Sequence, residues 1–342
     1  MSTRAFITGV SGPELTAAER EFIRSERPWG FILFKRNIET PAQVTLLVRE
    51  LREAIGNPDA PVLIDQEGGR VQRLGPPHWP VYPPGAVFGV LYDIDPALGL
   101  TAARLSARLM AADLIELGVT VDCLPLADVP VAGADAVIGN RAYGTEPGKV
   151  AAIARAVTDG LEQGGILPVL KHIPGHGRAT ADTHFRLPEV DTSKTELERT
   201  DFAAFQPLAD LPMAMTAHVV FSALDTAQPA TTSATIIQQV IRGVIGFQGL
   251  LMSDDVSMNA LAGSIAERTR AILAAGCDMV LHCNGKLDEM REVAVETPEL
   301  SGMALERARR ALASRAAPQA FDRLAARAEL EALVDRAGTA GA

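Results

Sequence analysis

Residues 171–184 read KHIPGHGRATADTH and hold three of the six histidines of the chain. Three chemistries fit such a stretch: metal ligation, proton transfer, or a turn pinned by imidazole. A metal reading uses His172, His176, His184 and Asp182. His172 and His176 are spaced i, i+4, but Pro174-Gly175 between them breaks the helix that an HExxH-type site needs. For His176 the plainer reading is a ring that hydrogen-bonds the turn. Asp182-Thr183-His184 is different. In an extended segment i and i+2 share a face, so the carboxylate can bond one imidazole nitrogen, fix the tautomer and favour the protonated ring. A histidine held in this way is a competent general acid near neutral pH.

Three other segments carry chemistry. Asp65-Gln-Glu-Gly-Gly-Arg-Val-Gln-Arg73 combines carboxylates that accept from hydroxyls, arginines that hold carboxylate or amide oxygens, and twin glycines that let backbone approach a ligand. It reads equally as a charged loop tied by its own ion pairs. Val137-Ile-Gly-Asn-Arg-Ala-Tyr-Gly144 places Arg141 among small residues, either reaching inward or solvated on a turn. Ser253-Asp-Asp-Val-Ser-Met258 offers two adjacent aspartates. Successive strand side chains point to opposite faces, so one can face a site while the other caps the next helix.

The elements that must position these residues alternate in type. Short apolar runs at 5–10, 31–34, 62–65, 119–124, 167–171, 213–217, 250–255 and 279–283 read as strands buried on both faces. Between them lie helical patterns: Thr40-Pro41 as N-cap and first position, 97–118 ending at a glycine, Ser193 with Glu196 at capping-box spacing, then 234–245 and 257–275. Eight strand–helix units predict a single-domain α/β fold, a (β/α)₈ barrel; an open doubly wound sheet is the alternative. Asp65, Lys171, His218, Asp254 and His282 all fall at strand C-terminal ends, which a closed barrel gathers around one mouth. The barrel is expected over residues 1–315, with 316–342 a helical tail that frays at GTAGA.

Bulk properties exclude several classes. The 342 residues are 47% hydrophobic and 22% charged, with a net charge of −10 and a pI near 5.2. That balance argues against nucleic acid or an anionic membrane as partner. Cys123, Cys277 and Cys283 form no CxxC, pointing to buried thiols in a reducing compartment. The opening apolar run, Ala5 to Val10, is too short for a secretory signal, and no stretch reaches membrane length. A cytoplasmic monomer is expected, because no extra interface element is evident.

With these residues in hand, the sequence resembles the bacterial β-N-acetylhexosaminidases of glycoside hydrolase family 3, in particular the compact cytoplasmic type of peptidoglycan recycling. The resemblance spans about residues 5 to 300 and rests on LIDQEGGRVQR, VIGNRAYG, KHIPGHGRATADTH, MTAHVVF and GLLMSDDVSM in that order. It implies a (β/α)₈ barrel, no cofactor and no metal. It implies Asp254 as nucleophile and His184, partnered by Asp182, as acid/base. Asp65, Arg73, Arg141, Lys171 and His172 are implied at the sugar. The implied reaction releases a terminal N-acetylglucosamine from 1,6-anhydro-N-acetylmuramic acid, with or without a stem peptide, through a covalent glycosyl-enzyme and with retained configuration. An imidazole dyad here replaces one of the two usual carboxylates. Departures are mild: Ile173 stands where phenylalanine is usual, and Thr183 where serine is common. Two alternatives stay open, a metal-dependent hydrolase built on the histidine-rich loop and a catalytically silent sugar-binding barrel.

Overall fold

A computed structural model describes residues 3–179 and 187–340. Eight parallel strands close on themselves: β1 (Arg4–Thr8), β2 (Pro28–Leu33), β3 (Val62–Ile64), β4 (Val121–Asp122), β5 (Leu167–Ile173), β6 (Met213–Thr216), β7 (Leu250–Asp255) and β8 (Met279–His282). Each strand pairs with its neighbours in sequence, and β8 returns to β1 through Phe6 opposite Val280. Closure excludes the open-sheet alternative.

Alternation along the strands builds two apolar layers. Ile7, Leu63, Val121, Val169, Met215, Met252 and Leu281 fill the barrel interior. Phe6, Ile64, Leu170, Ala214, Leu251 and Val280 belong to the layer between barrel and helices. The same parity decides which strand-end residues face the mouth. Asp65 follows Leu63, Lys171 follows Val169 and Asp254 follows Met252, two residues on, so all three inherit the interior face. His218 and His282 follow Ala214 and Val280 at even spacing and inherit the outer one.

Several helices start where the sequence places them. Thr40 caps Pro41–Ile55 by accepting from the Gln43 N–H, with Pro41 at the first turn. Helix Pro96–Glu116 precedes Gly118, whose φ is +81°. The helix expected over 257–275 is shorter. It begins at Ile265, under a capping box made by Ser264 and Glu267, because Asp255 bonds Ser257 and bends the intervening chain into turns. Segment 236–244 winds as a π-helix, Ile236–Val244.

The expected tail contains helix Arg323–Ala340, which lies against helices Gly85–Ile94 and Pro96–Glu116. Tyr82, fully buried, donates its hydroxyl to Asp113 Oδ2 at 2.6 Å and accepts from Arg327 Nη2 at 3.1 Å. Arg323 bonds the other oxygen of Asp113. The C-terminal helix thereby latches the loop that leads away from the first strand-end motif. No helix among the described residues is long and apolar enough to cross a membrane. All three cysteines are buried and unpaired.

Candidate active site

The barrel mouth holds a cavity of about 340 Å³. Asp65, Arg73, Arg141, Lys171, His172 and Asp254 all line it, so these six meet at one place. Asp182 and His184 lie outside the described residues. His218, two residues beyond β6, and His282, at the end of β8, do not line the cavity, as their parity dictates. A larger hollow of about 600 Å³ runs along the outer surface beside Val48, Arg52 and Leu117 and contains none of these groups.

Lys171 organises one wall. It is 2% exposed, and its Nζ lies 2.9 Å from Asp65 Oδ1 and 2.6 Å from Glu67 Oε1. Arg73 Nη2 meets the other oxygen of Asp65 at 2.9 Å. Arg141 grips Glu67 with Nε and Nη2, each at 2.8 Å, the planar two-point geometry that only arginine supplies. The second open reading of the first motif holds: its own ion pairs tie the loop, and the paired side chains form part of the cavity wall. Arg141 reaches inward and is no solvated turn residue. Burial alone would raise the Asp65 and Glu67 carboxyls. For Asp65, Lys171 and Arg73 reverse this and drive it well below the usual carboxylate range. For Glu67, Arg141 and Lys171 bring it to about 2. Burial would lower Lys171, but Asp65 and Glu67 hold it well above an ordinary lysine. All these groups are charged at neutral pH and present donors and acceptors to a polyhydroxylated ligand.

The twin glycines serve a different purpose from the expected one. A Cβ on Gly68 would stand 2.4 Å from the Pro83 carbonyl oxygen, and one on Gly69 would stand 2.7 Å from Pro84 Cβ. Both have positive φ, +90° and +57°. They let the hairpin formed by Gln66–Gly68 and Val71–Gln72 lie flat on the 82–84 segment, with Gly69 N–H donating to the Tyr82 carbonyl at 2.9 Å. The close approach is to the chain itself.

Asp128 was not among the expected site residues. It is fully buried and accepts from His172 Nδ1 at 2.7 Å, from the His172 N–H at 3.3 Å and from the His176 N–H at 2.7 Å. Burial opposes its ionisation, but His172 outweighs burial and brings it to about 2. One carboxylate thus orients His172 and pins the turn. The signal was an acidic residue inside the apolar run that follows β4. His176 departs from its expected role: its backbone N–H pins the turn, while ring Nδ1 is buried without a hydrogen-bond partner among the described residues. Burial, then the neighbouring His172, lower this imidazole to about 4.

Asp254 is the penultimate residue of β7, on the interior face. Its Oδ1 accepts the Asp255 N–H at 2.8 Å. Among the described residues no lysine or arginine forms an ion pair with it. Burial would raise this carboxyl, but His218, then His172, hold it below the ordinary range. Ionised and, among the described residues, free of any ion pair, it has the form a nucleophile requires. Its neighbour is structural: Asp255 accepts from Ser257 Oγ at 2.6 Å and from the Cys283 N–H on β8 at 3.0 Å. It caps a turn, where a helix cap was expected.

A polar, sugar-sized cavity at the mouth of a closed barrel has clear parallels among known proteins. The family model for the glycosyl hydrolase family 3 N-terminal domain matches residues 7–314. This chain belongs to glycoside hydrolase family 3. A "Beta-hexosaminidase" of Bordetella avium is 36% identical over 313 residues, covering 90% of this chain and 88% of the relative. NagZ of Neisseria gonorrhoeae, solved with N-trifluoroacetyl-D-glucosamine, superposes with a TM-score of 0.84 at 32% identity, over 99% of this chain and 98% of that one. The same protein solved with a zinc ion gives 0.86 at 31%, over 98% and 99%. Among the described residues of this chain, no three histidine, cysteine or acidic side chains group as metal ligands.

Proposed function

We propose that this chain is a retaining exo-β-N-acetylglucosaminidase that works in peptidoglycan recycling. Its enzyme class is that of the family relatives, β-hexosaminidase. The finer reading is that it cleaves the β-1,4 bond between a terminal N-acetylglucosamine and 1,6-anhydro-N-acetylmuramic acid, with or without a stem peptide. The observation that carries the reaction is Asp254, ionised and, among the described residues, without an ion-pair partner, on the wall of the cavity that the Asp65–Lys171–Glu67–Arg141 cluster also lines.

In this reading the sugar hydroxyls meet the Asp65–Lys171–Glu67–Arg141 cluster, with Arg73 and His172. Asp254 attacks the anomeric carbon as the glycosidic bond breaks. His184, protonated and held by Asp182, gives its proton to the departing oxygen. Neutral His184 then takes a proton from water, which attacks the anomeric carbon and frees Asp254, so two inversions retain configuration. The reading needs no cofactor and no metal. A carbohydrate partner, a monomer and a cytoplasmic setting complete it, with no nucleic acid or membrane partner, an absence that the acidic composition supports.

The test is hydrolysis of the 4-nitrophenyl β-N-acetylglucosaminide and β-glucoside by metal-stripped protein. Strong preference for the acetamido sugar is expected. No activity on either, restored by added zinc or manganese, would overturn the reading.

A further inference from the structure

Arg70 stands at the tip of the hairpin, between strands Gln66–Gly68 and Val71–Gln72, and lines the cavity. The reaction as written does not use it. Arg73, Arg141 and Lys171 line the same cavity, and each is paired with a carboxylate: Arg73 with Asp65, Arg141 with Glu67, and Lys171 with both. Among the described residues Arg70 forms no ion pair. Its Nη2 donates to the carbonyl oxygens of Ala136, at 3.0 Å, and Val137. Two main-chain acceptors thus fix the guanidinium in place without neutralising it. An arginine has five N–H donors, so most of them remain for a ligand.

Position decides which part of a substrate this charge meets. Glu67, Lys171, His172 and His176 are buried in the cavity, whereas Arg70 is the one exposed residue of its lining among the described residues. An exo-acting glycosidase encloses the terminal sugar and lets the rest of the substrate project outward. The exposed rim therefore faces the aglycone. Beside Arg70, Val71 and Val137 are half-buried and also line the cavity, so the rim joins one cation to apolar surface. On a chain of net charge −10, an uncompensated cation at a binding mouth favours an anion there.

We infer that Arg70 is a specificity-determining residue that selects substrates with a carboxylate on the aglycone. The guanidinium donates to that carboxylate in charge-assisted hydrogen bonds, and Val71 and Val137 cover the adjoining carbon skeleton. The inference rests on the proposed aglycone, 1,6-anhydro-N-acetylmuramic acid, whose lactyl ether ends in such a group, and it names the residue that recognises it.

The experiment compares two disaccharides, N-acetylglucosamine β-1,4-linked to 1,6-anhydro-N-acetylmuramic acid and the methyl ester of the same compound, which keeps the shape and loses the charge. For the parent enzyme the free acid is expected to exceed the ester about tenfold in kcat/KM. High salt is expected to shrink that ratio, because a pair at an exposed rim is screened. Arg70→Met is expected to bring the ratio near unity, and Arg70→Lys to keep part of it. An arginine that only clasps the 136–137 backbone would lower both substrates alike in Arg70→Met and leave the ratio in place. That result in a folded variant overturns the inference, as does a parent ratio near unity. If Arg70→Met does not fold, the parent ratio and its salt dependence decide. A parent that cleaves the 4-nitrophenyl sugar but neither disaccharide defeats the reading of the aglycone and the inference with it; a cleaved disaccharide with an unmoved ratio defeats the inference alone.

Discussion

The Lys171 ammonium lies 2.9 Å from Asp65 and 2.6 Å from Glu67, so one buried charge ties two positions of the hairpin loop to β5. Glu67→Gln removes a carboxylate shared by Lys171 and Arg141. Breaking a buried pair from one side typically costs about 3–5 kcal/mol, and some of that is regained here because Asp65 still holds Lys171. The expected outcome is a loss of about 2–3 kcal/mol in urea unfolding, with KM rising more than kcat falls. Unchanged stability would show that the cluster does not hold the wall.

Asp254→Asn is expected to abolish turnover while leaving stability within about 1 kcal/mol of the parent, since no ion pair is lost. His184→Ala is expected to behave differently. With a good leaving group such as dinitrophenol, the glycosyl-enzyme still forms and then persists, and intact-mass spectrometry shows the added sugar. Small and equal effects of the two changes would remove the mechanism.

Asp128→Asn replaces an acceptor of three hydrogen bonds by a group whose amide must face at least one donor. A cost of about 2–3 kcal/mol is expected, together with a higher KM because His172 loses its orientation. Asp128→Glu, which keeps the charge, should recover part of the KM change. Calorimetry alongside steady-state kinetics checks this, and a KM equal to that of the parent in both variants would count against it.

His176 makes stability depend on pH. Its buried ring takes a proton only near pH 4, whereas in the unfolded chain it does so near pH 6.5. Between those values the unfolded state binds the extra proton. The contribution of this group is complete above about pH 6.5 and is lost as the pH falls towards 4. Urea midpoints for the parent should therefore fall more steeply from pH 7 to 4.5 than those of His176→Gln. Parallel curves would refute the assignment.

Much of this site was legible in the sequence, and strand parity explains which part. Leu63 to Asp65, Val169 to Lys171 and Met252 to Asp254 are steps of two from interior residues, so a barrel assignment already decides that these three reach the mouth. Applied to Ala214 and Val280, the same count excludes His218 and His282, which were first grouped with them. Contacts made across loops were not legible. Asp128 and Glu67 matter because of partners 44 and 74 residues away, and no local spacing reveals those distances. Nor did the twin glycines reveal that their close neighbour would be Pro83 and Pro84.

Tyr82 has a consequence for how the protein is made. The barrel wall is complete at His282, but the tyrosine that supports the hairpin is latched by Arg327, near the end of the chain. Synthesis runs from the N-terminus, and the earlier parts fold first. The entrance to the cavity is therefore locked by a segment that leaves the ribosome only after all eight strands. A polypeptide released early, after the eighth strand but before this helix, would carry every residue of the cavity and still have an unfastened doorway.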